Sequence, residues 1–98
     1  MEIQITSRHD NKASKTLQDT ITSELERLEK YYDKITSCHV ILDNEILEKK
    51  IEITMNTQGH QVVSVAKAEN IGKAIDEAIE KTERQLKKIN EKIKSHKA

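Results

Sequence analysis

Between Ile71 and Ile93 the chain sets Ile71, Ile75, Ala78, Ile79, Thr82, Leu86, Ile89 and Ile93 at helical spacing, with charged residues filling the gaps. A stripe of that period defines an amphipathic helix, and it predicts one over residues 71–94. Asn70 suits its N-cap, since a short polar side chain accepts from the free N–H groups of a first turn. At about 1.5 Å per residue such a helix is about 35 Å long. That exceeds what a small sheet covers, so its last turns are expected to project beyond it. The chain has no Pro, no Phe, no Trp and two Gly, so the core facing this stripe must be aliphatic.

The remaining patterns complete a small α+β chain. Ile3 and Ile5 alternate with Glu2, Gln4 and Thr6, which reads as a short strand. Residues 7–12 are polar. Ser14 then suits an N-cap, and Leu17, Ile21, Leu25, Leu28 and Tyr32 form the stripe of a helix over about 15–32, ended at Asp33-Lys34. Strands are predicted over 37–43, 50–56 and 61–68, with Thr57-Gln58-Gly59-His60 as the turn between the last two. Ala66 and Ala68 on one strand face leave room for a helix to lie close. The fold class is α+β, in the order βαβββα. It has a four-stranded mixed, mainly antiparallel sheet with two helices on one face, in a single domain over 1–98.

Composition excludes several function classes. Charged residues make up 35% of the 98 and apolar residues another 35%, against an ordinary quarter charged and nearly half apolar. No stretch approaches the roughly 18 apolar residues of a membrane span. The start of the chain lacks a basic-then-apolar leader, so a cytosolic, cytoplasmic location is expected. Cys38 is the only cysteine, too few for an internal disulfide or a paired-cysteine metal site.

Charge balances overall but not along the chain. Residues 1–72 hold nine Lys/Arg against twelve Asp/Glu, and residues 73–98 hold eight against five. A neutral chain with a basic end still binds a polyanion locally, because screening acts over about 8 Å at physiological salt. A solubilising helix end produces the same imbalance.

The helical faces sharpen this reading. On a helical wheel centred on Ile75, Arg84 falls opposite the apolar stripe. Lys88, Lys81 and Lys92 follow it in that order around one flank. Most acids of the helix lie on the other flank, with Lys87 among them. In the first helix Arg27, Lys30 and Lys34 cluster similarly. Parallel helices on one sheet bring such stripes toward one groove, suited to phosphates. Tyr31 and Tyr32 are the only aromatics. Serial base stacking is thus a poor mechanism, and recognition of backbone shape, as in structured RNA, is favoured. Pairs such as Glu77–Lys81, Glu80–Arg84 and Glu83–Lys87 equally fit solvated i,i+4 ion pairing. Val63 and Val65, pointing away from the helices, leave open a second class: a protein–protein module dimerising through its open sheet face.

Signals for chemistry are weak. His9, His39, His60 and His96 lack metal-ligand spacing. His39 reads as an exposed strand residue, and His9 and His60 as loop residues. Cys38 alternates with Val40 and reads as a buried small hydrophobe. No catalytic residue, metal ligand, cofactor or small-molecule substrate is indicated.

Four segments carry a family resemblance. Ile3-Gln4-Ile5-Thr6-Ser7-Arg8-His9 is similar to an "I-x-I-T-G-R-x" start, with Ser7 in place of Gly. Leu25-Glu26-Arg27-Leu28-Glu29-Lys30-Tyr31-Tyr32-Asp33-Lys34-Ile35 is similar to "K-L-x-K-L-E-K-Y-F-D-R-I", and Val40-Ile41-Leu42 fits the strand that follows. Ala74-Ile75-Asp76 and Glu83-Arg84-Gln85-Leu86-Lys87-Lys88 fit "A-I-D…E-R-Q-L-x-K". The chain thereby resembles the ribosome hibernation factors of the short hibernation promoting type, related to ribosome-associated inhibitor A and the sigma-54 modulation proteins. Two segments depart from the family pattern: Glu69-Asn70-Ile71-Gly72 lacks its Tyr, and residues 44–50 are mixed in charge.

The resemblance implies a fold akin to the double-stranded-RNA-binding domain. It implies occupancy of the messenger- and transfer-RNA channel of the small ribosomal subunit, inhibiting translation in idle or stressed (stationary-phase) cells without chemistry. Pairing of ribosomes together with ribosome modulation factor is a further implication. The implied ribosomal-RNA contacts are Arg8, Lys30, Lys34, Lys81, Arg84, Lys87 and Lys88. Lys92 joins them from the helical geometry alone.

Overall fold

In the computed structural model, residues 1–8, 14–32, 34–57 and 59–95 are described, the side chains of 44 and 92–95 excepted. The elements run β1 (Glu2–Ser7), α1 (Lys15–Tyr31), β2 (Ile35–Asn44), β3 (Lys49–Thr57), β4 (His60–Ala68) and α2 (Ile71–Ser95). The βαβββα order and every element expected from the sequence are present. Strand ends extend one or two residues past the alternating apolar runs, because ladder hydrogen bonds continue where side-chain alternation stops.

The sheet order is β1-β2-β3-β4, with β1 parallel to β2 and the other pairs antiparallel. The parallel pair exists because α1 crosses over between its strands. Register aligns one face throughout: Ile5 opposite Val40, Val40 opposite Ile53, and Ile53 opposite Ser64. The neighbouring rows on that face hold Ile3, Cys38, Met55 and Val62, then Leu42, Ile51 and Ala66. Both helices press their stripes onto it: Ile21, Leu25 and Leu28 from α1, and Ala74, Ile75, Ala78, Ile79 and Leu86 from α2, all buried in one cluster. Each fully buried Ile or Leu contributes about 1.5–3 kcal/mol of transfer free energy.

The caps are those read from the sequence. The Ser14 hydroxyl accepts from Leu17 N at 3.1 Å, and Asn70 Oδ1 accepts from Gly72 N at 2.7 Å. Gly59 turns the β3–β4 hairpin at φ +77°, where a side chain costs more than a hydrogen. Lys34 leaves α1 at φ +65°, an unusual conformation for a non-glycine residue. His9, Asp33, Gln58 and His96 lie outside the described residues.

One seam is polar. Thr82 is buried; its hydroxyl donates to Ala78 O at 2.8 Å and shares a 2.9 Å hydrogen bond with Ser64 Oγ on β4. Gln85 Nε2 adds donations to Ser64 Oγ at 3.2 Å and Val63 O at 3.0 Å. With Ala66 and Ala78 this seats α2 close over β4, as the small strand residues required. The opposite sheet face is open and mixed: Val63 is half exposed among Gln4, His39 and Thr54. His39, partly buried there, hydrogen-bonds Thr6 Oγ1 through Nε2 at 3.0 Å.

Candidate nucleic-acid interface

The helices run in the same direction, since each returns antiparallel to the strand before it. Their facing flanks do not form the single basic groove expected from the helical wheels. The acidic flank of α2, not the basic one, faces α1: Arg27 Nη1 lies 3.5 Å from Glu83 Oε2 while its Nη2 lies 3.3 Å from Glu24. An ion pair satisfies two flanks at once, whereas two like-charged flanks repel, and the packing takes the paired arrangement. Burial alone lowers Arg27's pKa, but the Glu83 and Glu24 carboxylates outweigh it and the net shift is upward. The buried Tyr32 beside them is pushed up by desolvation first, and then by Glu83.

The basic flank of α2 instead looks outward and over the free edge of β4. Lys81 Nζ donates to Val65 O at 2.8 Å. Arg84 is exposed and paired with Glu80 one turn earlier. Lys87 and Lys88 are exposed and form no salt bridge among the described residues. Lys92 continues the helix, its side chain being outside the described set. Lys30, in the last turn of α1, and Lys34, just after it, are also exposed. Lys30 and Lys34 close α1, and Lys87 and Lys88 follow Leu86, the last fully buried residue of α2; Lys81 lies earlier, over the middle of β4.

Arg8 does not join them. Its N–H donates to Leu42 O at 2.9 Å, and its guanidinium is 4.0 Å from Glu52. Glu52 stands in the row of Thr6, Ile41 and Val65 on the open face, so Arg8 faces away from the helices. Strand alternation dictates this: Gln4, Thr6 and Arg8 share a face that Ile3 and Ile5 do not.

Where α1 and α2 separate, a cleft of about 590 Å³ opens, lined by Arg27, Tyr31, Tyr32, Glu83, Lys87, Asn90 and Glu91. Tyr31 is 65% exposed there. Tyr31 stands out in the sequence as one of two aromatics, but Asn90 carries no signal there, because only the meeting of the two helices makes them neighbours.

Cys38 is buried and its thiol is pushed up to about 12 by desolvation. Among the described residues no cluster of three His, Cys, Asp or Glu is placed to hold a metal ion. No described helix is long and apolar enough to cross a membrane.

Fold and surface define a small α+β module whose polar features are charged helix faces. The chain belongs to the sigma 54 modulation protein / S30EA ribosomal protein family, whose model matches residues 3–94. It is 38% identical over 95 residues to the ribosome hibernation promoting factor of Pseudomonas putida, covering 97% of this chain and 92% of that one. With the ribosome hibernation promoting factor of Escherichia coli K12 it shares 29% identity over 96 residues, covering 98% and 100%. Among solved structures, a ribosomal subunit interface protein from Coxiella burnetii superposes with a TM-score of 0.83 at 26% identity, covering 92% of this chain and 98% of that one. The N-terminal domain of Thermus thermophilus Protein Y shares the fold at a TM-score of 0.81 and 22% identity, covering 91% and 99%. The family is one of ribosome-associated hibernation factors and not of enzymes.

Proposed function

We propose that this chain is a ribosome hibernation factor. It is read as a single unit that acts in the cytoplasm, occupies the messenger- and transfer-RNA channel of the small subunit, and stops translation by occupancy. The relatives' names support the ribosome as target. The observation that carries the reading of the surface is the basic end of α2, with Arg84 and Lys88 exposed on its outward flank and Lys87 exposed at the cleft toward α1, on a helix that runs past its last fully buried residue, Leu86.

Such a ridge suits phosphate rails. Each Lys or Arg that neutralises a phosphate releases condensed counterions, a gain independent of base sequence. Arg84's pairing with Glu80 does not remove it from this set. An exposed i,i+4 pair is worth only about 0.3–0.5 kcal/mol, less than a charge-assisted hydrogen bond to a phosphate, about 1.5–3 kcal/mol. Lys30 and Lys34 extend the surface from α1. Arg8 belongs to it only if RNA also reaches the open face. Recognition of RNA by its shape, as a double-stranded-RNA-binding module does it, fits a surface with so few aromatics. Pairing of idle ribosomes, alongside ribosome modulation factor, is part of the same proposal.

The test is co-sedimentation with ribosomes on sucrose gradients. Wild type is expected in the small-subunit and whole-ribosome fractions, and growth of a ribosome-dimer peak would report pairing. The double variant Arg84→Glu/Lys88→Glu is expected to fall to background with an unchanged circular-dichroism spectrum. Undiminished co-sedimentation of that variant overturns the assignment of the ridge.

A further inference from the structure

We infer that the cleft between the ends of α1 and α2 holds one unstacked RNA base, seated on the ring of Tyr31 and held by Asn90 and Lys87. This rests on the ribosome reading above and deepens it.

The two aromatic residues of the chain are consecutive, yet the fold gives them opposite roles. Tyr32 is 8% exposed and caps the core, whereas Tyr31 is 65% exposed at the cleft wall. An exposed aromatic beside an amide and an ammonium is the equipment for a single flipped-out nucleotide: a ring for the base, an amide for its edge, a cation for its phosphate.

The electrostatics of the cleft point to a base and away from a bare phosphate. Arg27 is already held by Glu83 and Glu24, and Glu83 and Glu91 line the same walls. With Arg27 and Glu83 already paired to each other, that wall of the cleft offers a bare phosphate no unpaired cation, and the phosphate's attraction is left to Lys87 at the cleft's lining. Lys87 is the one cation of the lining that forms no salt bridge among the described residues. A volume of about 590 Å³ admits a base together with its sugar. The scarcity of aromatics still excludes serial stacking along a strand; it permits one stack at this point.

The composition makes the test clean. With no Phe and no Trp, the ring signals of Tyr31 and Tyr32 stand apart from the histidines in a proton–carbon NMR spectrum. Adenosine 5′-monophosphate is expected to move the Tyr31 ring signals, while ribose 5-phosphate leaves them in place. Tyr31→Ala is expected to weaken binding of a short oligoadenylate by roughly five- to a hundredfold, the effect of one base–aromatic stack. Tyr31→Phe, which keeps the ring, is expected to bind like wild type. Equal response to ribose 5-phosphate, or an undiminished Tyr31→Ala, overturns the base site. The companion sedimentation experiment separates the two readings. If wild type sediments with ribosomes but the nucleotide leaves Tyr31 unmoved, the base site falls and the ribosome reading stands. If the ring responds but wild type does not sediment, the reverse holds.

Discussion

At the scale of single residues, burial decides what each reactive group does. Cys38 sits under the helices opposite Met55, 2% exposed, and desolvation pushes its thiol from an ordinary value of 9.0 up to about 12. A thiolate in that site loses its hydration with no charge to replace it. The sign of the linkage follows. Below about pH 9 both folded and unfolded chains hold the proton, and the contribution to stability is fully present. Between about 9 and 12 only the unfolded chain gives it up, so stability falls as pH rises, by up to about 1.4 kcal/mol per pH unit. Urea unfolding at pH 8, 9 and 10 is therefore expected to show a decline that is steeper in wild type than in Cys38→Ala. Parallel pH profiles of the two proteins contradict the buried, neutral thiol. The role of Cys38 was legible in the sequence, since it alternates with Val40 and Leu42 along a strand whose other face is mixed.

At the scale of elements, the chain is legible where one period dominates and opaque where two elements meet. The stripe of α2, the caps at Ser14 and Asn70, and the small face of β4 each express a local rule and are found in place. The wheel also sorted the charges of α2 correctly, placing Glu83 apart from Arg84 and Lys88. It did not say which flank turns toward α1, because that depends on Arg27 finding Glu83 across 56 positions of chain. The face of Arg8 was legible in principle from strand parity, but a resemblance matched position by position carries no parity. The junction after α1 is a further case. Lys34 holds φ +65°, a conformation that costs an L-residue roughly 1–2 kcal/mol and glycine nothing. Lys34→Gly is expected to raise the stability read from urea unfolding by about 0.5–1 kcal/mol, part of the gain being returned as unfolded-state entropy. The same change removes a cation from the proposed ribosome surface, so ribosome affinity is expected to drop as stability rises. A variant that gains in both would place Lys34 outside that surface.

At the scale of the whole molecule, zero net charge and a pI near 6.9 mean that no long-range field steers this chain toward RNA. Attraction must come from sorting. The β4 edge is covered by Lys81 and Gln85, which donate to Val65 O and Val63 O, so addition of a strand from another copy is discouraged there. At the far end, the β2–β3 hairpin carries Ile46 and Leu47, 95% and 90% exposed, between Glu45 and Glu48. That tip has little to offer a phosphate. The two ends therefore make opposite demands on salt. If Arg84, Lys87, Lys88 and Lys30 each engage a phosphate, log affinity for ribosomes falls linearly with log salt, with a slope of roughly −3 to −4. Affinity is then expected to drop by about a hundredfold between about 50 and 200 mM monovalent salt. If the apolar tip and open face carry the binding, the slope is near zero. Titrations of fluorescently labelled protein against ribosomes at four salt concentrations decide between these ends of the molecule. Arg84→Glu/Lys88→Glu serves as the internal check: residual binding by that variant is expected to lose about two units of slope, because two phosphate contacts are gone. An unchanged slope in the variant would move the interface off α2.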